Sequence, residues 1–116
     1  EIFPFASIGT PPQDLKYKGE KNSIVIGDNN KFREYTNVNP GTEQGGGITK
    51  IGNSNLFMVY CHVAHDCIIQ NNIVLANNVQ VGGHVTIENN AISIWVTFIK
   101  TSNTRLVFDI KNIEFA

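Results

Sequence analysis

From Ile51 onward a large apolar residue returns at every sixth position: Ile51, Phe57, Val63, Ile69, Leu75, Val81 and Ile87. The residue after each is mostly small or polar: Gly52, Met58, Ala64, Gln70, Ala76, Gly82 and Glu88. The residue four further on is mostly small or β-branched: Asn55, Cys61, Cys67, Ile73, Val79, Val85 and Ala91. A shorter run in the same style joins Ile26-Gly27, Phe32 and Val38, and an earlier one joins Ile2 and Ile8-Gly9. A period of six fits neither a 3.6-residue helix nor an alternating strand; it predicts an all-β fold, a parallel β-helix in which each hexapeptide is one short strand plus a corner. Three hexapeptides close one coil, so residues eighteen apart, such as Val63 and Val81, stack at about the 4.8 Å spacing of neighbouring strands. Asn in "QNN", "ANN" and "ENN" suits corners, because it tolerates the left-handed backbone that a tight turn needs. A β-sandwich of short strands has no reason to hold a six-residue frame through seven units.

Two segments break the frame and are expected to leave the coil as loops: 10–23, "TPPQDLKYKGEKNS", and 41–50, "GTEQGGGITK". Long excursions from a rigid solenoid point to a site. The triple glycine lacks the GKS/T ending of a phosphate loop, so a mobile loop is expected there. After Ala91 the period is lost, which divides the chain into a β-helical part, 1–92, and an irregular, non-repeating tail, 93–116.

Composition narrows the function. The 116 residues, 41% hydrophobic and 16% charged, suit one globular domain. With 9 basic and 10 acidic side chains there is no cationic stripe, which argues against nucleic acid and anionic membrane as partners. No apolar run approaches the roughly 20 residues of a membrane span, and no signal-like block opens the chain, so a cytoplasmic protein is expected. The missing initiator Met suggests a processed or partial chain. Two cysteines, Cys61 and Cys67, are too few for a disulfide framework.

Chemistry concentrates in "CHVAHDC", 61–67. Coil arithmetic stacks Gly83 on His65 and His84 on Asp66, with His62 around the preceding corner. An imidazole, a carboxylate, a second imidazole and a glycine N–H on one edge are the parts of an acyl-transfer site: a base, a group to orient it and an oxyanion donor. Gly83 would let a substrate carbonyl approach closely. The same cluster invites a zinc reading, but both cysteines fall at inward positions, where they would fill the core. Lys16 and Lys18 in the first loop could meet an anionic substrate.

The segments "SIG", "PQDLKYKGE", "VNPGTEQGGGITKIG", "HVAHDC" and "LANNVQVGGHV", in this order, closely resemble the acyl-acyl carrier protein:UDP-N-acetylglucosamine O-acyltransferases of lipid A synthesis, from about Phe5 to about Ile92. The resemblance implies a left-handed β-helix, a homotrimer with clefts between subunits, and transfer of a 3-hydroxyacyl group from acyl carrier protein to the 3-hydroxyl of UDP-N-acetylglucosamine. It implies His65 as general base, Asp66 as its support and the Gly83 N–H as oxyanion donor. Gln13, Asp14, Lys16, His62 and His84 would hold substrate, with no metal or organic cofactor. Departures are equally specific. The family has further coils before this chain begins and a "GG…HQF" continuation where this chain has "SIWVTFIKTS", and Pro40 replaces a common Arg. The abrupt change suggests a frameshifted or split gene product. The alternatives are therefore a catalytically inactive remnant of that enzyme, and a zinc-dependent carbonic anhydrase built on the same hexapeptides.

Overall fold

The computed structural model describes residues 1–93 and the pair 105–106. They wind into a left-handed parallel β-helix. Its strands are β1 (Ser7–Ile8), β2 (Ser23–Ile26), β3 (Lys31–Phe32), β4 (Asn37–Val38), β5 (Ile48–Ile51), β6 (Leu56–Phe57), β7 (His62–Val63), β8 (Ile68–Ile69), β9 (Val74–Leu75), β10 (Gln80–Val81), β11 (Thr86–Ile87), β12 (Ile92–Ser93) and β13 (Arg105–Leu106). From β1 to β12 every third strand shares a sheet, and β13 joins beside β11, so the faces of the prism are β1-β4-β7-β10, β2-β5-β8-β11-β13 and β3-β6-β9-β12. Each strand is too short to be stable alone, and the ladder with the coils above and below supplies its hydrogen bonds.

In β3, β4 and β6 to β11 the second residue of the strand points inward. Phe32, Val38, Ile51, Phe57, Val63, Ile69, Leu75, Val81 and Ile87 form the buried column, with the Phe32 and Phe57 rings stacked 4.7 Å apart. Cys61, Cys67, Ile73, Val79, Val85 and Ala91 fill the space behind the corners. Two of these inward positions carry amides. Asn30 Oδ1 accepts the Asn55 N–H at 3.0 Å, and Asn55 Oδ1 accepts the Ile73 N–H at 2.8 Å while its Nδ2 donates to the Gln70 carbonyl at 2.9 Å. Buried amides thus pair main-chain groups that the corners leave over.

The uninterrupted coils keep the eighteen-residue register: Val63 pairs with Val81, and Ile69 with Ile87. Val38 pairs with Ile8, 30 residues away, and Ile51 with Ile26, 25 away. The first excursion therefore adds twelve residues to its coil and the second adds seven. Both are shorter than the loops expected at 10–23 and 41–50, because Ser23 and Ile48 to Lys50 belong to β2 and β5. The excursions leave neighbouring coils, and their returning backbones satisfy each other: Ser23 N–H donates to the Gly47 carbonyl at 2.9 Å, and Gly41 N–H to the Ser23 carbonyl at 3.3 Å. The glycines expected to make a mobile loop instead close a hydrogen-bonded 3-10 turn, Glu43–Gly45, followed by Gly46 and Gly47 at φ of 96° and 78°.

The corners share one backbone solution. Phe5, Asn29, Tyr35, Ser54, Tyr60, Asp66, Asn72, Asn78, His84 and Asn90 each follow an apolar residue of the six-residue frame by three, and all have φ between 57° and 66°. This left-handed region costs an L-residue about 1 to 2 kcal/mol, least for Asn and Asp. Three aromatics on consecutive coils of one edge offset part of that cost by stacking: Phe5 on Tyr35 at 5.3 Å and Tyr35 on Tyr60 at 4.8 Å.

The coil continues through Ser93, which pairs with Leu75, and β13 lies beside β11. Apart from Ser93 and the pair 105–106, the irregular tail expected at 93–116 lies outside the described residues. Among the described residues no helix is long and apolar enough to cross a membrane.

Candidate active site

Asp66 and His84 occupy left-handed corners on successive coils, and His65 precedes the first of them. The fold thus turns three polar side chains toward one edge. His65 Nδ1 lies 2.8 Å from Asp66 Oδ2, and His84 Nε2 lies 3.6 Å from the same oxygen. The two imidazoles meet edge to face, with centroids 5.0 Å apart. Because a carboxylate only accepts, the 2.8 Å contact puts the His65 proton on Nδ1 and leaves Nε2 with its lone pair when the ring is neutral.

The Asp66 side chain is 1% exposed, and its charge is met by the second excursion. Thr42 N–H donates to Oδ1 at 2.7 Å and the Thr42 hydroxyl donates to Oδ2 at 2.5 Å. Thr49 Oγ1 accepts the Asp66 N–H at 2.9 Å. Gly45 covers the carboxylate so closely that a Cβ there would overlap Asp66. The turn at 42–47 is therefore a clamp on a buried carboxylate, and its glycine is needed for contact rather than for flexibility. Thr42 and Gly45 were not found by stacking residues eighteen apart, because the seven-residue excursion displaces them, and Thr49 was missed because the eighteen-residue step pairs it with Cys67 rather than Asp66. Counting the excursion out would have placed Thr42 at the inward position beneath Cys67, next to the Asp66 corner.

Gly83 does lie above His65, and the structure supplies its reason. A Cβ on Gly83 would sit 2.5 Å from His65 Cε1 and 2.7 Å from Nε2. The expectation tied this glycine to a substrate carbonyl; the imidazole itself already requires it. Among the described residues no acceptor is bonded to the Gly83 N–H.

The first excursion supplies the other wall. Asp14 Oδ2 stands 3.9 Å from His65 Nε2, and Asp14 Oδ1 accepts the Lys16 N–H at 2.9 Å, which folds "QDLK" back over the histidines. A cleft of about 460 Å³ lies among Gln13, Asp14, Lys16, Gln44, His65 and His84. A second, of about 530 Å³, lies on the other side of His65 and is lined by Tyr35, Asn37, Tyr60, His62 and Gly83 among others. His62 faces this second cleft, so the three histidines divide between two spaces that share His65. Burial pushes the His62 pKa down, opposed by its hydrogen bond to Asn37.

His65, Asp66 and His84 could offer three ligand atoms to a metal. The thiols do not extend that set: Cys61 Sγ faces the Ala76 carbonyl at 3.0 Å and Cys67 Sγ the Gly82 carbonyl at 3.2 Å. Burial raises their pKa values to about 11 and about 12, which keeps both sulfurs protonated and poor as ligands.

Coil and excursions together place the chain among the hexapeptide-repeat proteins of the left-handed β-helix class. Comparison with known proteins makes the assignment particular. The chain is 63% identical over 84 residues to the acyl-[acyl-carrier-protein]–UDP-N-acetylglucosamine O-acyltransferase of Aliarcobacter butzleri, covering 72% of this chain and 32% of that protein. It is 54% identical over 91 residues to the enzyme of the same name from Paracoccus denitrificans, covering 78% and 35%. The crystal structure of LpxA from Acinetobacter baumannii superposes with a TM-score of 0.78 at 52% identity, covering 78% of this chain and 35% of that one. No family model matches. Over this matched stretch the chain belongs to the UDP-N-acetylglucosamine O-acyltransferase family, and it spans about a third of the length of the relatives it matches. The carbonic anhydrase alternative is not favoured.

Proposed function

We propose that this chain carries the catalytic middle of an O-acyltransferase that moves a 3-hydroxyacyl group from acyl carrier protein to the 3-hydroxyl of UDP-N-acetylglucosamine, the opening step of lipid A synthesis in the cytoplasm. The observation that carries the reading is the 2.8 Å contact of His65 with an Asp66 carboxylate that Thr42 holds in place. It leaves Nε2 as a base on the cleft side, between Asp14 and Gly83.

In the proposed reaction His65 Nε2 takes the proton of the sugar hydroxyl as that oxygen attacks the thioester carbon. Asp66 supports the imidazolium that forms. The Gly83 N–H meets the oxygen of the tetrahedral intermediate. As the new ester C–O bond is retained the C–S bond breaks, and the His65 proton passes to the departing thiolate. Gln13, Asp14 and Lys16, with His62 and His84, would hold the sugar, its pyrophosphate or the pantetheine arm, and no metal or organic cofactor takes part. A homotrimer belongs to the same proposal, because both clefts are open on one side and a neighbouring copy would close them.

The test is acyl transfer by the chain as given and by His65→Ala. Turnover that disappears in the variant, with an unchanged circular dichroism spectrum, is the expected result. Equal turnover in both proteins would remove His65 as the base. No turnover from a folded trimeric chain would establish the inactive remnant.

A further inference from the structure

We propose that Asn37 is a positioning residue for His62: it fixes the His62 tautomer so that an unprotonated Nε2 faces the 530 Å³ cleft and accepts a hydrogen bond from an N–H or O–H group of the molecule bound there. The argument starts from a main-chain carbonyl. The Ser7 carbonyl can only accept, and it lies 3.4 Å from Asn37 Nδ2, which also reaches Thr10 Oγ1 at 3.1 Å. These contacts orient the amide and turn Asn37 Oδ1 toward His62 Nδ1, 2.7 Å away. An amide oxygen cannot donate, so the ring proton must sit on Nδ1. Burial favours the neutral ring, and its Nε2 then carries a lone pair with no hydrogen-bond partner among the described residues.

A second unpaired acceptor lies behind the wall of the same cleft, out of reach of its occupant. Asn39 Nδ2 is held by the Thr10 carbonyl at 3.1 Å, which leaves Asn39 Oδ1 buried and without a partner among the described residues. The rest of the lining includes amides, at Gln13, Asn78 and Gln80, and no Lys, Arg, Asp or Glu. The His62 Nε2 acceptor in an uncharged wall selects a neutral group that donates, such as a secondary amide or a hydroxyl, over a phosphate. The identity of the occupant rests on the proposed acyl transfer, in which both an N-acetyl sugar and an acylated pantetheine arm bring amide N–H groups; the tautomer does not.

The experiment uses the full chain labelled with ¹⁵N-histidine, read by long-range ¹H–¹⁵N correlation at a pH where His62 is neutral. His62 is expected as the Nδ1–H tautomer in the parent, as Nε2–H or a mixture in Asn37→Ala, and as Nδ1–H again in Asn37→Asp, where an acceptor is restored. His65 resonances that stay in place show that the fold survives. An Nε2–H signal for His62 in the parent needs no variant to be read and would overturn the proposal, as would an unchanged tautomer in Asn37→Ala. UDP-N-acetylglucosamine and S-acyl pantetheine are then added separately. A shift of His62 Nε2 by one of them identifies the donor, and Asn37→Ala should weaken that binding about tenfold. Silence with both probes would overturn the acceptor role. Because the free-chain tautomer needs no turnover, its outcome is independent of whether the chain transfers acyl groups.

Discussion

Thr42→Val removes one hydroxyl and keeps the shape, and it tests whether the second excursion holds the Asp66 carboxylate. Two donors from Thr42 reach Asp66, and the main-chain one survives the substitution. What is lost is a hydrogen bond to a charged, buried acceptor, worth about 1.5 to 3 kcal/mol. A methyl group then faces Oδ2, and no water replaces the hydroxyl at a site where Thr42 and Asp66 are both buried. Taking about 2 kcal/mol and a urea slope of about 2 kcal/mol per molar, the unfolding midpoint should fall by about 1 M. Thr42→Ser restores the donor and should recover most of the loss. In a catalytically competent preparation Thr42→Val should also reduce kcat by about tenfold or more with a smaller change in KM, since an unpinned carboxylate no longer fixes the His65 ring. A midpoint within about 0.2 M of the parent, or a Ser variant as unstable as the Val variant, would refute the reasoning.

Gly83→Ala should leave the circular dichroism spectrum unchanged and sharply reduce acyl transfer, because its Cβ would displace the His65 ring, which stands 2.5 Å from that position; full activity would show that the ring moves aside without cost. Cys61 and Cys67, with pKa values raised to about 11 and about 12, should both resist iodoacetamide at pH 8 in the folded chain and react once urea unfolds it, as mass spectrometry would count. Asn55→Ala removes partners from a buried N–H of Ile73 and a carbonyl of Gln70, so it should destabilise by about 2 to 5 kcal/mol in urea unfolding, well beyond what truncation of an exposed Asn such as Asn78 would cost.

How far the sequence could be read depended on whether an excursion lay between the residues concerned. His65 with Gly83 and Asp66 with His84 fall in coils without interruption, so a step of eighteen brought each pair together. The inward cysteines followed from the same frame. Asn37 and His62 are 25 apart and Thr42 and Asp66 are 24 apart, because the second excursion intervenes. Its length leaves no hydrophobic mark of its own, so neither pair was visible until the Ile26 and Ile51 register was known. Gly83 was singled out as leaving room for a substrate carbonyl; the group its Cβ would meet in the structure is the His65 ring, and that depends on a rotamer rather than on a period.

The ten left-handed corners among the described residues act as interchangeable sockets. Each places a side chain at an edge from nearly the same backbone φ, and the occupants range from Asn through Ser and Tyr to Asp and His. Chemistry can therefore be exchanged at an edge by a single substitution, without rebuilding the coil beneath it. The two sockets that hold Asp66 and His84 give up the easier accommodation Asn would have, at least at His84, for groups that can share a proton, and the same freedom is open to Asn78 and Asn90 farther along the column. A fold of this kind can gain or lose a reactive edge while its architecture stays unchanged.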